Sequence, residues 1–406
     1  MRVLHLSSLY PPFAMGGAER VVELIAERSA AHGIATAVAH LVPSPTQSAQ
    51  RNGVAVYPLR HRNPLWIETS ARYPGPVRNL NKIATLFNLL TERDLDKLLK
   101  QFAPDILHSH SMVELTPRMW RAAKLRGIKI VHTLHDYDLL CIRGALFKNG
   151  RSCTTRHTAC SLFSRVKKIY HACIDHVVGV SEVVLRTHLE NGFFRDLPPQ
   201  NRHVVWNPVC TPARPREQSA RCVPFTFGFL GRLVPEKGIE ILLRACRSLP
   251  PQGWQLKVAG RAPTDSSVLR DSVRGLPVEF VGFVDPMSFL NEIDVLVVPS
   301  IWTEPFGLTV VEAYAAGVRV LGADSGGIGE VIRAVDPAWL VPPGDDHALA
   351  DRMRALIHCG REGLGAGPDA SVAMTRTHPD FVAAQYLDIY AAALEQPQHL
   401  KMRMHG

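Results

Sequence analysis

Glu304 and Glu312 have seven residues between them in the run Glu304-Pro305-Phe306-Gly307-Leu308-Thr309-Val310-Val311-Glu312. The apolar run Val295 to Val298 precedes them and reads as a buried strand, and Leu308 to Ala316 reads as a helix. The spacing therefore predicts one carboxylate in the loop at a strand's carboxyl end and the other in the helix that follows. In an open α/β sheet that is where ligands bind. Two carboxylates there can accept hydrogen bonds from a hydroxyl-rich ligand such as a sugar nucleotide. A surface glutamate plus a helix charge favoured by the helix dipole fits the same spacing.

Charge of the opposite sign comes from Gly231-Arg232-Leu233-Val234-Pro235-Glu236-Lys237-Gly238. Arg232 and Lys237 flank a predicted helix start, again at a strand's carboxyl end. A guanidinium and an ammonium beside a helix N-terminus can clamp a pyrophosphate; in isolation a surface reading is equally good. His135, in Val131-His132-Thr133-Leu134-His135-Asp136, falls just past a strand. There it can donate to a sugar hydroxyl or handle a proton. His108 and His110 end another strand and are weaker candidates for the same wall. Two glycine loops lead from strand to helix, Met15-Gly16-Gly17-Ala18-Glu19-Arg20 and Ser325-Gly326-Gly327-Ile328-Gly329-Glu330. Each allows close approach of backbone to a ligand and offers free amides to a sugar or phosphate. The first lacks the spacing of a dinucleotide fingerprint or a P-loop.

These residues need strand ends to hold them. In the first half, strands are predicted at Val3 to Ser7, Ile34 to Leu41, Val54 to Pro58, Asp105 to Ser109, Lys129 to Thr133 and His176 to Val180. Helices are predicted at Ala18 to Ala31, Ile83 to Gln101, Val113 to Leu125 and Glu182 to Glu190. Pro198 to Pro224, with six prolines, contains a linker. The pattern then restarts, with strands at Phe225 to Leu230, Gln255 to Ala259, Val278 to Gly282, Asp294 to Pro299 and Val318 to Ala323, and a helix at Glu236 to Leu249. Two β/α units of similar size predict an α/β protein of two doubly wound, Rossmann-like domains facing each other across a cleft. A last helix, Phe381 to Leu394, follows a Gly/Pro-rich break and carries Phe381, Tyr386, Ile389 and Tyr390 as one sticky face.

A chain of 406 residues with 46% apolar and 20% charged residues suits two globular domains. Its net charge of +9 points to acidic partners: nucleotide phosphates, nucleic acid or an anionic membrane face. Between Arg51 and Lys82 six basic residues face one acidic one, Glu68, with Leu65, Trp66, Ile67 and Tyr73 interspersed; this is either a solvated face or a patch for anionic lipid. The basic residues follow no nucleic-acid module. No signal peptide or bilayer-length apolar run is visible, so a cytoplasmic location is expected, peripheral on the inner face of the cytoplasmic membrane. Cys141, Cys153, Cys160 and Cys173 fall in a basic, irregular stretch after His135. Three thiolates with His157 or Cys173 have the donors of a structural zinc site. Their spacings of eleven, six and twelve residues lack the short paired spacing of such sites. The expectation is reduced, partly buried thiols and no metal.

Taken in order, the Gly-Gly-Ala-Glu-Arg loop, the strand ending at His135-Asp136, Val180-Ser181-Glu182, Gly231-Arg232 to Lys237-Gly238, Glu304 to Glu312, Gly326-Gly327 to Glu330 and Leu340-Val341-Pro342-Pro343-Gly344-Asp345 resemble a family-4 glycosyltransferase of the two-domain GT-B type, over nearly the whole chain. The set is specific, although no member except the glutamate pair would be alone. The chain departs from the family pattern in carrying Pro208 where glycine is common. The resemblance implies a first, acceptor-side domain over 1–210 with a cysteine-bearing insert at 138–175, a nucleotide-sugar-binding domain over 222–375, and a helix over 378–395 crossing back to the first. It implies transfer from a nucleotide-sugar, a UDP- or GDP-sugar, with retention at the anomeric carbon and no required cofactor or divalent metal. The acceptor would be lipid-linked or a polysaccharide. Arg232 and Lys237 would bind the diphosphate, Glu312 the ribose hydroxyls, and Glu304 with the amides of Phe306 and Gly307 the donor sugar. His135 would touch the sugar or reacting centre. Gly16 and Gly17 would let the first domain close on the phosphates and acceptor, and Gly231, Leu308, Gly326 and Gly327 complete the donor site. A sugar-nucleotide epimerase or phosphorylase of the same fold, or a non-catalytic nucleotide-sugar-binding subunit, is the alternative.

Overall fold

The computed structural model describes residues 1–13, 16–44, 47–67, 69–210, 224–262, 267–364 and 367–396. Met15 of the first glycine loop, Glu68 and residues 211–223 of the predicted linker lie outside them.

The first half builds an eight-stranded sheet. Its spatial order is Arg202–Val204, His176–Gly179, Lys129–Leu134, Ile106–His110, Arg2–Ser7, Ala35–Val42, Val54–Arg60 and Ala49–Arg51. Pairing is parallel except at the Ala49–Arg51 edge. Ile106–His110 and Lys129–Leu134 are buried along their whole length, as expected of parallel strands covered on both faces. The second half builds a six-stranded parallel sheet in the order Val278–Gly282, Trp254–Ala259, Phe225–Leu230, Val295–Val298, Arg319–Ala323 and Leu340–Val341.

The helix Pro379–Glu395 packs on the helix Gly17–Ala31 and on the strand Lys129–Leu134 of the first sheet. Tyr386, Ile389 and Tyr390 are buried there, and the Tyr390 hydroxyl lies 2.6 Å from His108 Nδ1. Phe381, expected on the same face, is 44% exposed.

Three predicted helices differ in their bounds. The stretch predicted as one helix over Ile83 to Gln101 is two, Gly75–Leu86 and Leu89–Phe102. Asn88 starts the second as its N-cap, its side chain accepting from the Thr91 amide at 3.1 Å. In place of Val113 to Leu125 only Arg118–Lys124 is helical, because Pro117 precedes it as the N-cap residue. Glu236 to Leu249 splits into a 3₁₀ turn, Pro235–Lys237, and a helix, Ile239–Cys246, separated by Gly238 at φ 72°.

The cysteine-bearing stretch is ordered rather than irregular. Phe147–Lys148 and Arg151–Ser152 form a hairpin around Asn149-Gly150, both at positive φ, and Thr158–Tyr170 is a helix. An Asn-Gly pair between two strands is the common two-residue hairpin connection.

Candidate functional site

Strand order in the second sheet reverses between Phe225–Leu230 and Val295–Val298. The chain leaves the first strand toward one edge and, after the second, builds the other. A crevice opens outside the carboxyl ends at such a point. The two loops that flank it, Gly231 to Gly238 and Pro299 to Gly307, are tied together. The Glu236 carbonyl accepts from the amides of Ile301 and Trp302 at 3.1 and 3.2 Å and from Ser300 Oγ at 3.0 Å. Gly238 is required here: a Cβ on it would lie 1.9 Å from the Pro299 carbonyl oxygen.

This stitching brings two predicted site residues into contact. Lys237 Nζ donates to Glu304 Oε1 at 2.7 Å, with the lysine side chain 22% and the glutamate side chain 8% exposed. The ammonium also lies 5.8 Å from the centre of the Trp302 ring. Arg232 stays on the rim, 63% exposed, with Glu236 at 3.9 Å. Glu312 sits on the helix Leu308–Ala315 and lines a cavity of about 150 Å³ with Gly17, Arg20, Met287 and Leu308. Burial, then the charge of Asp285, pushes its carboxyl above the usual range.

The glycines of the last predicted loop have a job other than the one expected. The Gly327 amide donates to the Glu304 carbonyl at 2.8 Å, so it is not free for a ligand. A Cβ on Gly326 would lie 2.4 Å from that carbonyl oxygen, and one on Gly327 would lie 2.5 Å from Phe306 Cα. Both glycines let the helix Gly326–Val335 seat the loop that carries Glu304. Phe306 itself is buried, its ring 5.8 Å from that of Trp206. Gly307, at φ 102°, turns the chain into the next helix. In the first domain, Gly16 is the N-cap of the helix Gly17–Ala31, its amide donating to Glu19 at 3.1 Å. A Cβ on Gly17 would lie 2.2 Å from Leu308 Cδ1. In this arrangement Gly17 is small because the second domain abuts it, a contact that spacing alone did not reveal.

Inside the first domain His135, His110 and His5 form a row of imidazoles. His135 Nε2 lies 3.1 Å from His110 Nδ1, and His110 Nε2 lies 2.9 Å from His5 Nδ1. His135 Nδ1 and His5 Nε2, the two ends of the row, are buried without a partner. Burial lowers His135 to about 4 and His5 to about 3. The row is therefore uncharged at neutral pH, and His135 presents a neutral ring nitrogen. His108 stands beside it, engaged by Tyr390 and by Thr133 Oγ1 at 2.8 Å. His5, His108 and His110 are the one group among the described residues with three metal-ligating atoms within 4.8 Å of one another. Both nitrogens of His108 and of His110 already have protein partners.

Several contacts join the domains around this site. Ser181 Oγ donates to the Pro305 carbonyl at 2.6 Å. Glu330 accepts from the Glu182 amide at 2.9 Å and from Trp206 Nε1 at 3.0 Å. From the cysteine-bearing segment, the Ala145 carbonyl accepts from Trp302 Nε1, and Ser152 Oγ accepts from the Thr303 amide at 3.3 Å. Trp206, Trp302 and the clamping role of Glu330 went unread in the sequence. Their partners are more than a hundred residues away, and no local spacing marks them.

The fold is one of two Rossmann-like domains, with a crevice at the switch point of the second sheet. The family "Glycosyltransferase Family 4" matches residues 15–211, and "Glycosyl transferases group 1" matches residues 224–359. A Klebsiella pneumoniae protein described as an uncharacterized 42.6 kDa protein in the cps region is 28% identical over 82% of this chain and 88% of its own length. A phosphatidyl-myo-inositol mannosyltransferase of Mycobacterium leprae is 29% identical over 70% of this chain and 73% of its own. Among solved structures, Anabaena HepE in complex with UDP superposes with a TM-score of 0.70 at 19% identity, over 97% of this chain and all of that one. The chain belongs to the family-4-like glycosyltransferases and has their GT-B fold.

Proposed function

We propose that this protein transfers a sugar from a UDP- or GDP-sugar to a lipid-linked or polysaccharide acceptor in cell-surface glycan synthesis. Transfer retains the anomeric configuration and needs no divalent metal at the reacting centre. The observation that carries the reading is the Lys237–Glu304 contact at the switch point of the second sheet. It holds a cation and a carboxylate ready where a diphosphate and a sugar would lie side by side. On donor binding, Lys237 turns from Glu304 to the diphosphate, joined by Arg232 from the rim. Glu304 is thereby released to accept hydrogen bonds from the sugar. Preformed positive charge at the departing diphosphate is then a main source of rate. Glu312 receives the ribose hydroxyls, and His135, a neutral imidazole, touches the sugar or the reacting centre from the other domain.

A membrane-side acceptor is supported by the surface of the first domain. Tyr73, Val77, Leu80, Ile83 and Phe87 recur at helical spacing in and beside the helix Gly75–Leu86 and are all exposed, Leu80 by 66%. Arg72 and Arg78 are exposed beside them. An apolar ridge flanked by arginines suits the interface of an anionic membrane. Of the other basic residues of that stretch, Arg51 pairs with Glu23 at 2.7 Å and Arg62 with Asp94 at 2.9 Å. Among the described residues no helix is long and apolar enough to cross a membrane. On the strength of the exposed ridge and its arginines, we read the enzyme as peripheral on the cytoplasmic face of the membrane.

The test is a panel of UDP- and GDP-sugars incubated with lipid-linked acceptors in the presence of chelator, with the product's anomeric configuration read by NMR. Formation of an α-linked product from an α-linked donor supports the proposal. An inverted product, an epimerised donor without acceptor, or activity restored only by a divalent metal would overturn the corresponding part.

A further inference from the structure

The segment between His135 and the strand His176–Gly179 sends Tyr137, Leu139, Leu140, Cys173 and Ile174 into the main core from its two ends. Between these ends, Cys141, Ile142, Cys160 and Phe163 form only a small cluster with Leu86 of the helix Gly75–Leu86, and the hairpin strands are two residues each. Small units of this kind usually need a crosslink or a metal to hold one conformation. Four metal-ligating side chains converge on this segment from three local elements. Cys141 begins a tight turn closed by the Gly144 amide on the Cys141 carbonyl at 2.9 Å. Cys153 directly follows the hairpin, its amide donating to Leu146 at 2.7 Å. His157 is the N-cap residue of the helix Thr158–Tyr170, and Cys160 lies in its first turn.

Two donor pairs stand at the separations of coordination edges. Cys141 Sγ and Cys160 Sγ lie 3.7 Å apart, and Cys153 Sγ lies 3.8 Å from His157 Nε2. A tetrahedral zinc ion with Zn–S of about 2.3 Å and Zn–N of about 2.0–2.1 Å has S···S edges of about 3.8 Å and S···N edges of about 3.6 Å. Each pair thus matches one edge. A disulfide would need about 2.0 Å. All four donors line one cavity but do not form a group within 4.8 Å, so joining the two edges requires rotation of the exposed His157 and half-buried Cys153 side chains. Backbone donors already address the sulfurs: the Arg143 amide donates to Cys141 Sγ at 3.4 Å, and the Ile142 amide to Cys160. Such amide-to-sulfur bonds orient and stabilise metal-bound thiolates.

We propose that Cys141, Cys153, His157 and Cys160 bind one structural zinc ion, the thiol protons passing to solvent as the metal enters. The ion fixes the hairpin that reaches across the cleft, where Ala145 and Ser152 hold Trp302 and Thr303, the two residues before Glu304. Only this consequence for the donor site rests on the transfer reading; the metal site does not.

The test uses the full chain, free of any histidine tag and purified without chelator, with zinc measured by mass spectrometry. One zinc per chain is expected, released by a thiol-reactive mercurial, lost in Cys141→Ser and Cys160→Ser, and retained in the control Cys246→Ser. Because the serine variants could misfold, cobalt is also substituted into the wild-type protein, where thiolate-to-cobalt charge-transfer bands and tetrahedral d–d bands are expected. Zinc far below one per chain, a Cys141–Cys160 disulfide in the freshly purified protein, octahedral cobalt, or undiminished zinc in Cys160→Ser would each overturn the proposal.

Discussion

Lys237 Nζ and Glu304 Oε1 meet at 2.7 Å although 66 residues separate them in the chain, and a single carbonyl, that of Glu236, ties together the loops that carry them. The pair makes the unliganded site electrically quiet. A largely buried carboxylate has its counter-charge, and a lysine is held at the crevice rather than free in solvent. In the proposed donor mode a diphosphate has to win that lysine from Glu304, which would couple phosphate binding to release of the carboxylate for the sugar.

The pair should reveal itself first in stability. Lys237→Ala leaves the buried Glu304 carboxylate without its partner, at a cost of about 1–3 kcal/mol. Adding Glu304→Gln should recover part of that loss. Urea midpoints of the two single variants and the double variant measure the coupling. Transfer, by contrast, should fall by roughly 10²-fold or more in Lys237→Ala and should not recover in the double variant, because charge at the leaving diphosphate is lost in both. Additive stability effects would mean the contact does not form in solution.

The Glu304 loop should be equally sensitive from behind. Gly327→Ala puts a methyl 2.5 Å from Phe306 Cα and 2.6 Å from the Pro305 carbonyl oxygen, both backbone atoms that cannot swing aside. We expect a stability loss of about 1–3 kcal/mol and a weakened response to nucleotide diphosphates in thermal-shift titration. Gly75→Ala, where a Cβ meets nothing within 4 Å, is the matched control and should leave both unchanged.

How far the sequence reaches is visible in these same residues. Lys237, Glu304 and Glu312 were legible because strand-loop-helix punctuation is local, and a polar residue just past an apolar run must lie at a strand's carboxyl end. What Gly17 and Gly327 contact was not legible. Spacing shows that a glycine is small but not which distant residue needs the room, and Leu308 and Phe306 are close only after folding. The two-residue strands beside Asn149-Gly150 are too short to carry a period, so the hairpin read as irregular. Helix bounds failed where a side chain or proline intervened, as at Asn88 and Pro117.

Domain closure should depend on Glu330. Its carboxylate accepts from the Glu182 amide and from Trp206 Nε1, and burial raises its own carboxyl above the usual range. Glu330→Gln replaces one accepting oxygen with a donor that faces another donor. The expected outcome is an unliganded protein with a larger radius of gyration by small-angle scattering and weaker donor binding, with both domains still folded by circular dichroism. An unchanged radius together with unchanged donor binding would show that Ser181 and the hairpin contacts suffice.

The imidazole row predicts acid sensitivity well above the carboxylate range. Burial lowers His40, His135, His176 and His188 to about 4, and His5 and His132 to about 3, with His108 and His110 also well below the ordinary value. In the unfolded chain each titrates near 6.5. At pH 5 the unfolded state therefore holds more protons than the native state, and stability falls as pH falls. The loss begins as pH drops through about 6.5 and continues to about 4, with a slope approaching 1.4 kcal/mol per pH unit for each such histidine. Asp136, Glu312 and Glu330 work in the opposite sense, because burial raises their carboxyls and favours the protonated native form. They offset only part of the effect, being fewer. Urea midpoints at pH 7.5, 6 and 5 should decline steadily, and net proton uptake should accompany unfolding at pH 5. A midpoint that stays flat over this range would mean that the row is hydrated or already charged in the native protein, and His135 would then not present a neutral nitrogen to the sugar.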